Sequence, residues 1–359
     1  MSGISTPEKI KAAYLKKALE VTLKEENLPT LGPHDVLVKV MAVGICGSDL
    51  HYYEFGKNAQ KVVSRPIRLG HESSGVVAAV GEAVSRFKPG DRVAIEPGVA
   101  CGKCSACKGG RYNLCPKVAF LGSPPVDGAL IQYIRHPEDY LFALPDDVSF
   151  EEAALIEPFS VAIHACRRAK LQPGSTVSIA GMGPVGLLTV VAAKYFGAKS
   201  IIVSDLEASR LEVAKDLGAT HAVQVSKEDA LAVVAEVTNG LGVDVAFETA
   251  GSVKALHSAL RMVRRGGQFL LVGMPPTDEV EFDIPLISSL EIDVYGVYRY
   301  ANTYPIAIKM LSEIKGLAQK LVTHRFPLEE TKEALECART NKSKSLKIMI
   351  YPNGFTNYN

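Results

Sequence analysis

From Thr176 onward the chain repeats one pattern: "STVSIAG", "PVGLLTVVAAKYFG", "SIIVSD", "EASRLEVAKDLG", "HAVQV", "KEDALAVVAEVTNG", "VDVAFETAG", "LHSALRMVRRGG", "QFLLVGM". Short β-branched runs alternate with amphipathic stretches of about ten to fifteen residues, the signature of strands joined by helical crossovers. Crossovers of that length do not fit hairpins, so the strands must run parallel, with helices covering the sheet. Few folds satisfy that constraint.

The first strand–helix junction, "SIAGMGPVGLL", carries G-x-G-x-x-G at Gly181, Gly183 and Gly186, with Pro184 and Val185 between the last two. On its own the pattern is weak, but here it follows an apolar strand and opens a helix. Small residues let the backbone turn sharply and approach a pyrophosphate, which the helix N-terminus then stabilises. Asp205 ends the second strand, at about the spacing at which an acid meets the adenosine ribose. It would repel a 2′-phosphate, which favours NAD over NADP. Arg210, in the following helix, is a cation that could tolerate that phosphate. The competing reading is a structural turn followed by a surface aspartate.

Before this region the texture differs. "DVLVKVMAVGIC", "SSGVVAAVG" and "GDRVAIEP" are apolar runs punctuated by turn residues, as in a β-rich domain. "FSVAIHACRRAK" reads as a helix starting behind Pro158, a favoured first-turn residue. From about Tyr295 the pattern is mixed again, and that tail is too short to fold alone. The expected division is residues 1–158 with 295–359 as one domain, and 159–294 as the nucleotide-binding domain. With 40 basic against 39 acidic residues, the chain carries no electrostatic footprint for nucleic acid or an anionic membrane. No apolar run approaches the ~18 residues of a membrane span, and "MSGISTPEKIKAAYLKK" lacks the core of a signal peptide. The expected location is the cytoplasm, where thiols stay reduced.

That compartment matters for "CGKCSACKGGRYNLC", which holds Cys101, Cys104, Cys107 and Cys115, four of the seven cysteines. A disulfide conflicts with the reducing compartment, and a nucleophile would need only one thiol. Four closely spaced thiols on a polar loop suit a tetrahedral zinc with no open position, a structural site. Lys103, Lys108, Arg111 and Lys117 would moderate its net negative charge. "GICGSDLHYYEFG" and "LGHESSG" gather Cys46, Ser48, Asp49, His51, Tyr52, His71 and Glu72, and "LIEPFSVAIH" adds Glu157 at an expected helix start. Singly, each has another explanation: a buried thiol, a hydrogen-bonded core histidine, a carboxylate favoured at a helix N-terminus.

"GICGSDLH", "GHESSG", "KPGDRVAIEPG", the four-cysteine lobe and "GMGPVG" together resemble, in order and over nearly the whole chain, the medium-chain, zinc-dependent alcohol dehydrogenases. "EPFSVAIHACRRA", "GVYRYANTYP" and "LVTHRFPLE" are similar, more narrowly, to the polyol dehydrogenases of that family. The resemblance implies a Rossmann doubly wound sheet plus a β-rich, GroES-like catalytic domain, with a catalytic zinc in the cleft between them. Its protein ligands would be Cys46, His71 and Glu72, with water in the fourth place and Glu157 holding that water or exchanging with it. Asp49 would orient the site. Ser48 and His51 would carry the proton out, with Glu157 and its water as the competing route. Tyr52, Phe120, Ser123, Glu157, Arg299 and Tyr300 would line the polyol pocket. Val272, Gly273, Met274, Val297, Tyr298 and Arg299 would join the glycine loop, Asp205 and Arg210 in holding NAD.

The activity implied is NAD-dependent oxidation of a polyol's secondary hydroxyl to the ketose, as for sorbitol or xylitol, in a homotetramer with two zincs per subunit. One thiolate, one imidazole and one carboxylate would leave zinc harder than two thiolates would, consistent with a polyhydroxylated substrate. Oxidation of L-arabinitol, threonine or a simple secondary alcohol is the alternative within the family. From other classes come an idle nucleotide-binding structural protein, against which Cys46, His71 and Glu72 speak, and a nucleic-acid-binding zinc ribbon, against which the neutral charge speaks.

Overall fold

Six strands pair in parallel in the order His221–Gln224, Ser200–Asp205, Thr176–Ala180, Val243–Glu248, Val263–Leu271, Asp293–Gly296. Numbered along the chain this is 3-2-1-4-5-6, a doubly wound sheet whose order reverses beside Thr176–Ala180. Val177, Val203, Ala246, Phe247, Phe269 and Leu270 are each completely buried, as expected for strands covered on both faces. This computed structural model describes residues 6–355 except 276, 278 and 315.

The sheet lies in one of two units, Pro158–Thr303; the other combines Met1–Glu157 with Tyr304–Asn359. A return to the first unit at 295 would cut through the strand Asp293–Gly296, which pairs with Val263–Leu271; the chain leaves the sheet only after it. In the other unit, Glu72–Val80 lies between Arg92–Ile95 and Asp35–Gly44, both antiparallel to it. The far C-terminal strand Lys347–Tyr351 pairs antiparallel with Asp35–Gly44, matching Met349 with Gly44 and Ile350 with Val43. The tail therefore adds a strand to the sheet begun at Asp35, and its Ile348 and Ile350 share a core with Val36, Val38 and Val43.

The helix expected to begin behind Pro158 instead runs from Phe150 to Arg168, with Pro158 inside it. The true start is written in "SFEE": the Ser149 hydroxyl accepts from Glu152 N at 3.2 Å, and the Glu152 carboxylate accepts from Ser149 N at 3.0 Å. This is a reciprocal capping box. Glu157 therefore sits two turns into a helix rather than at its N-terminus. Among the described residues, no helix is long and apolar enough to cross a membrane.

Two glycines fix the first strand–helix turn. Gly181 has φ +95°, and a Cβ there would lie 2.6 Å from the Cβ of Ala250. A Cβ on Gly186 would overlap the Gly181 carbonyl oxygen and approach Thr249 Oγ1 to 2.8 Å. Gly186→Ala should therefore force the turn open and cost about 1–3 kcal/mol, as overpacking does. A fall in the thermal unfolding midpoint of the purified variant would register it; an unchanged midpoint would contradict this packing.

Candidate active site and metal centres

At the sheet's order reversal, the turn and the acid after it are already in contact. Asp205 Oδ2 accepts from Met182 N, between the first two glycines, at 2.6 Å, and Oδ1 accepts from Glu207 N at 2.9 Å. Gly183 caps the helix Pro184–Tyr195, with Pro184 in its first turn. The neighbouring strand end was not anticipated. Glu248, 1% exposed, takes the N–H groups of Ala250 and Gly251 at 2.9 Å each on one carboxylate oxygen. Burial nonetheless pushes its carboxyl above the ordinary value. Its carbonyl accepts from Val272 N at 3.0 Å and Gly273 N at 2.8 Å. Thr249 Oγ1 donates to the Gly181 carbonyl at 2.7 Å. Glu248 thus seats Val272 and Gly273 through its backbone carbonyl, and through its carboxylate the loop that packs on Gly181. "FETAGS", an acid followed by small residues at a strand end, was the available signal.

Of the remaining residues expected at the nucleotide, Arg210 is half-buried and Met274 is exposed. Val297 N donates to the Leu271 carbonyl at 2.9 Å. Tyr298 is exposed with the Arg299 guanidinium 4.8 Å from its ring centroid, and Tyr300 is buried. Arg299 has φ +51°, the left-handed region disfavoured for a residue with a Cβ.

In the other unit, Cys46 Sγ, a His71 ring nitrogen and a Glu72 carboxylate oxygen lie within 4.8 Å of one another. Cys46 stands at the N-terminus of the helix Gly47–Phe55, and Glu72 opens the strand Glu72–Val80. Asp49, 2% exposed, joins the segments: Oδ2 accepts from Cys46 N at 3.0 Å and Oδ1 from Gly70 N at 3.2 Å. The same Oδ1 lies 3.6 Å from His71 Nδ1, leaving the other ring nitrogen for a metal. Burial alone would lower the proton affinity of His71, but Asp49 and Cys46 outweigh it and hold the group well above its ordinary value. Burial likewise works against an ionised Asp49, yet His71 and the two N–H groups keep its carboxyl below its usual range. Gly44 makes room for Glu72, since a Cβ there would overlap Oε2.

Around this group lie Phe120, its ring centroid 5.4 Å from that of His71, and Tyr52, whose hydroxyl pairs with Ser123 Oγ at 3.2 Å. Ser48 and His51 are half-buried on the Cys46 helix, and Glu157 is 6% exposed. Two residues here escaped the sequence. Lys347, fully buried, places Nζ 2.6 Å and 2.8 Å from the two Glu72 oxygens. Glu96 accepts from the Tyr112 hydroxyl at 2.7 Å, and burial, reinforced by the charge of Glu157, pushes its carboxyl up to about 7. A lone cation at the head of the apolar string "KIMIY" was the one local hint of Lys347.

The four-cysteine lobe is compact. Cys101, Cys104, Cys107 and Cys115 bring their sulfurs within 4.8 Å of one another, and all are free thiols. Cys104 and Cys107 Sγ are 3.4 Å apart across the short helix Ser105–Lys108. The N–H groups of Lys103 and Cys104 aim at Cys101 and lower it to about 6, whereas loss of solvent pushes Cys107 up to about 12. A backbone that favours thiolate at one sulfur while the others crowd against it fits a cation shared by all four. Both donor sets fit zinc: four thiolates form a closed site, and one thiolate, imidazole and carboxylate leave a position open.

A doubly wound nucleotide sheet, and a separate β unit with an open three-donor site, define a metal-assisted nicotinamide oxidoreductase. Residues 32–146 match the alcohol dehydrogenase GroES-like domain and residues 184–313 the zinc-binding dehydrogenase domain. The chain belongs to the zinc-dependent, medium-chain alcohol dehydrogenase family. It is 54% identical to a sorbitol dehydrogenase of Bacillus subtilis, over 97% of this chain and 99% of that one. An L-idonate 5-dehydrogenase of Vitis vinifera is 41% identical, over 98% and 97%. Among solved structures, an Escherichia coli oxidoreductase of unknown specificity superposes with a TM-score of 0.90 at 38% identity, over 96% of this chain and 99% of that one.

The raised Glu96 carboxyl has a stability consequence. Its ordinary value is 4.5 and its folded value about 7, so between them the native state keeps a proton the unfolded chain has released. Glu96 should therefore make the fold less stable as pH rises through that window. Glu96→Gln, which still accepts from Tyr112, should flatten this part of the pH dependence in urea titrations at roughly pH 5 and 8. An identical dependence in parent and variant would refute it.

Proposed function

We propose that this enzyme oxidises a secondary hydroxyl of an acyclic polyol, of the sorbitol or xylitol kind, to the ketose with NAD⁺ as hydride acceptor. The observation that carries the reading is the cluster of half-buried Cys46 with buried His71 and Glu72, in a chain whose second unit has the doubly wound sheet of a dinucleotide-binding domain. These three residues would hold a catalytic zinc, and Cys101, Cys104, Cys107 and Cys115 a structural one. When bound, zinc lowers the pKa of the substrate hydroxyl and NAD⁺ accepts the hydride.

The protein's own residues do the rest. Asp49 holds His71 in the ligating orientation. Ser48 receives the proton released from the substrate and passes it to His51 and solvent; Glu157 with a water offers the alternative route. Tyr52, Phe120, Ser123, Glu157, Arg299 and Tyr300 bind the substrate, the planar fork of Arg299 donating to two hydroxyls at once. Gly181, Gly183, Pro184, Val185 and Gly186 receive the pyrophosphate, and Asp205 the ribose. Arg210, Val272, Gly273, Met274, Val297 and Tyr298 complete the cofactor contacts. Seven unbridged thiols suit the cytoplasm, and by family resemblance the working form is a homotetramer.

Initial rates with sorbitol, xylitol, L-arabinitol, L-iditol, L-idonate, threonine and ethanol, each with NAD⁺ and NADP⁺, test this reading. Pocket groups satisfied by several hydroxyls are left unpaired by a short alcohol, at about 1–3 kcal/mol each. Two or three such losses should put ethanol several powers of ten below the best polyol, and NAD⁺ should exceed NADP⁺. Ethanol equal to the polyols, or NADP⁺ preferred, would overturn the corresponding half. Separately, Cys104→Ser should release one zinc per subunit and lower thermal stability while the Cys46 site keeps its metal. Unchanged zinc content would show that the lobe is not a zinc site.

A further inference from the structure

Two backbone segments must meet to form the Cys46, His71 and Glu72 cluster, and a third closes it from behind. Lys347 opens the strand Lys347–Tyr351, whose pairing with Asp35–Gly44 delivers its ammonium to the segment that leads into Cys46. There Nζ donates to the Ile45 carbonyl at 3.0 Å and to Glu72 Oε2 and Oε1 at 2.6 Å and 2.8 Å. The backbone repeats the join, since Ile45 N donates to the Ile348 carbonyl at 2.9 Å. All three ammonium protons thus have an acceptor. One cation grips both the residue before the Cys46 thiol and the carboxylate of Glu72. Its side chain is 2% exposed and that of Glu72 1%, so neither charge has water to fall back on.

A carboxylate has about four lone-pair positions on its two oxygens, so one held by Lys347 still has electron pairs for a metal. Gly44 blocks neither, because it has no Cβ where Glu72 Oε2 lies. We propose that Lys347 is the positioning residue of the catalytic metal site: it aims the Glu72 carboxylate before metal arrives and shares its negative charge afterwards. This rests on the metal reading given above. A carboxylate whose charge is divided between an ammonium and a metal is a weaker donor than a free one. The bound cation stays correspondingly more electron-poor, and Glu72 is easier for an incoming oxygen ligand to displace. Asp49 does not provide this, since it lies against His71 and the Cys46 and Gly70 amides.

The test uses the full-length protein with zinc retained in the four-cysteine lobe and cobalt(II) introduced at Cys46, His71 and Glu72. Cobalt affinity is read by chelator competition, and the coordination shell by the visible d–d spectrum. Lys347→Met should weaken cobalt binding by about tenfold or more, the size of effect usual for groups that orient a metal ligand, and should shift the spectrum. Lys347→Arg, which keeps the charge and the donors, should stay within about threefold of the parent and retain its spectrum, on the same scale. Loss of both by the Arg variant would overturn the proposal. In a Glu72→Gln background, Lys347→Met should change little further, because the lysine acts through that carboxylate. An equal loss in both backgrounds would reassign Lys347 to general support of the fold. Parent that binds cobalt, with Lys347→Met matching it in affinity and spectrum, would overturn the proposal alone. Parent that takes up no cobalt at these residues would overturn the metal reading and the proposal with it.

Discussion

Glu72 is ionisable, almost without solvent, and surrounded by the sheet that supports it. A charge in that position needs an opposite charge with its hydrogen bonds complete, and Lys347 supplies both. Much of the unit's construction serves this encounter. The strand Lys347–Tyr351 must return beside Asp35–Gly44, position 44 must be glycine, and Cys46 must follow at once where the strand ends and a helix begins. The chain makes a long excursion through Pro158–Thr303 before the cation arrives. Loss of the last strand would cost this unit a charge and an inner strand, the one that joins Asp35–Gly44 to Val322–Pro327.

Local periodicity made the nucleotide-binding unit legible, because each strand and crossover is written in contiguous residues. The same was true of the four-cysteine lobe, whose members lie in one loop. The first turn of the helix Phe150–Arg168 was misplaced because Pro158 is a strong start signal, and the capping pair in "SFEE" was not weighed against it. The domain boundary was set at 295, inside the strand Asp293–Gly296, because so short a strand carries no period; its pairing with Val263–Leu271 assigns it.

The cluster of Cys46, His71 and Glu72 stood midway. Cys46, His71 and Glu72 were chosen through a family resemblance, since nothing in their spacing distinguishes ligands from core residues. The groups missed altogether, Lys347, Glu96 and Glu248, are charged residues at the ends of apolar strands. Each is explained by a partner that sequence position does not reveal: Glu72 for the first, the Tyr112 hydroxyl for the second, a loop of backbone amides for the third. A buried charge announces that a partner exists without saying which.

Asp205 is tethered to the turn it follows, one oxygen accepting from Met182 N and the other from Glu207 N, each with a lone pair to spare. On the proposed reading, a change of residue there alters two things together: the acceptor offered to a ribose and the tether that keeps the glycine turn in shape. A lineage drifting toward the phosphorylated cofactor would therefore cross a valley. The substitution that removes the repulsion also slackens the turn, and it becomes tolerable only after another residue has taken over the Met182 amide.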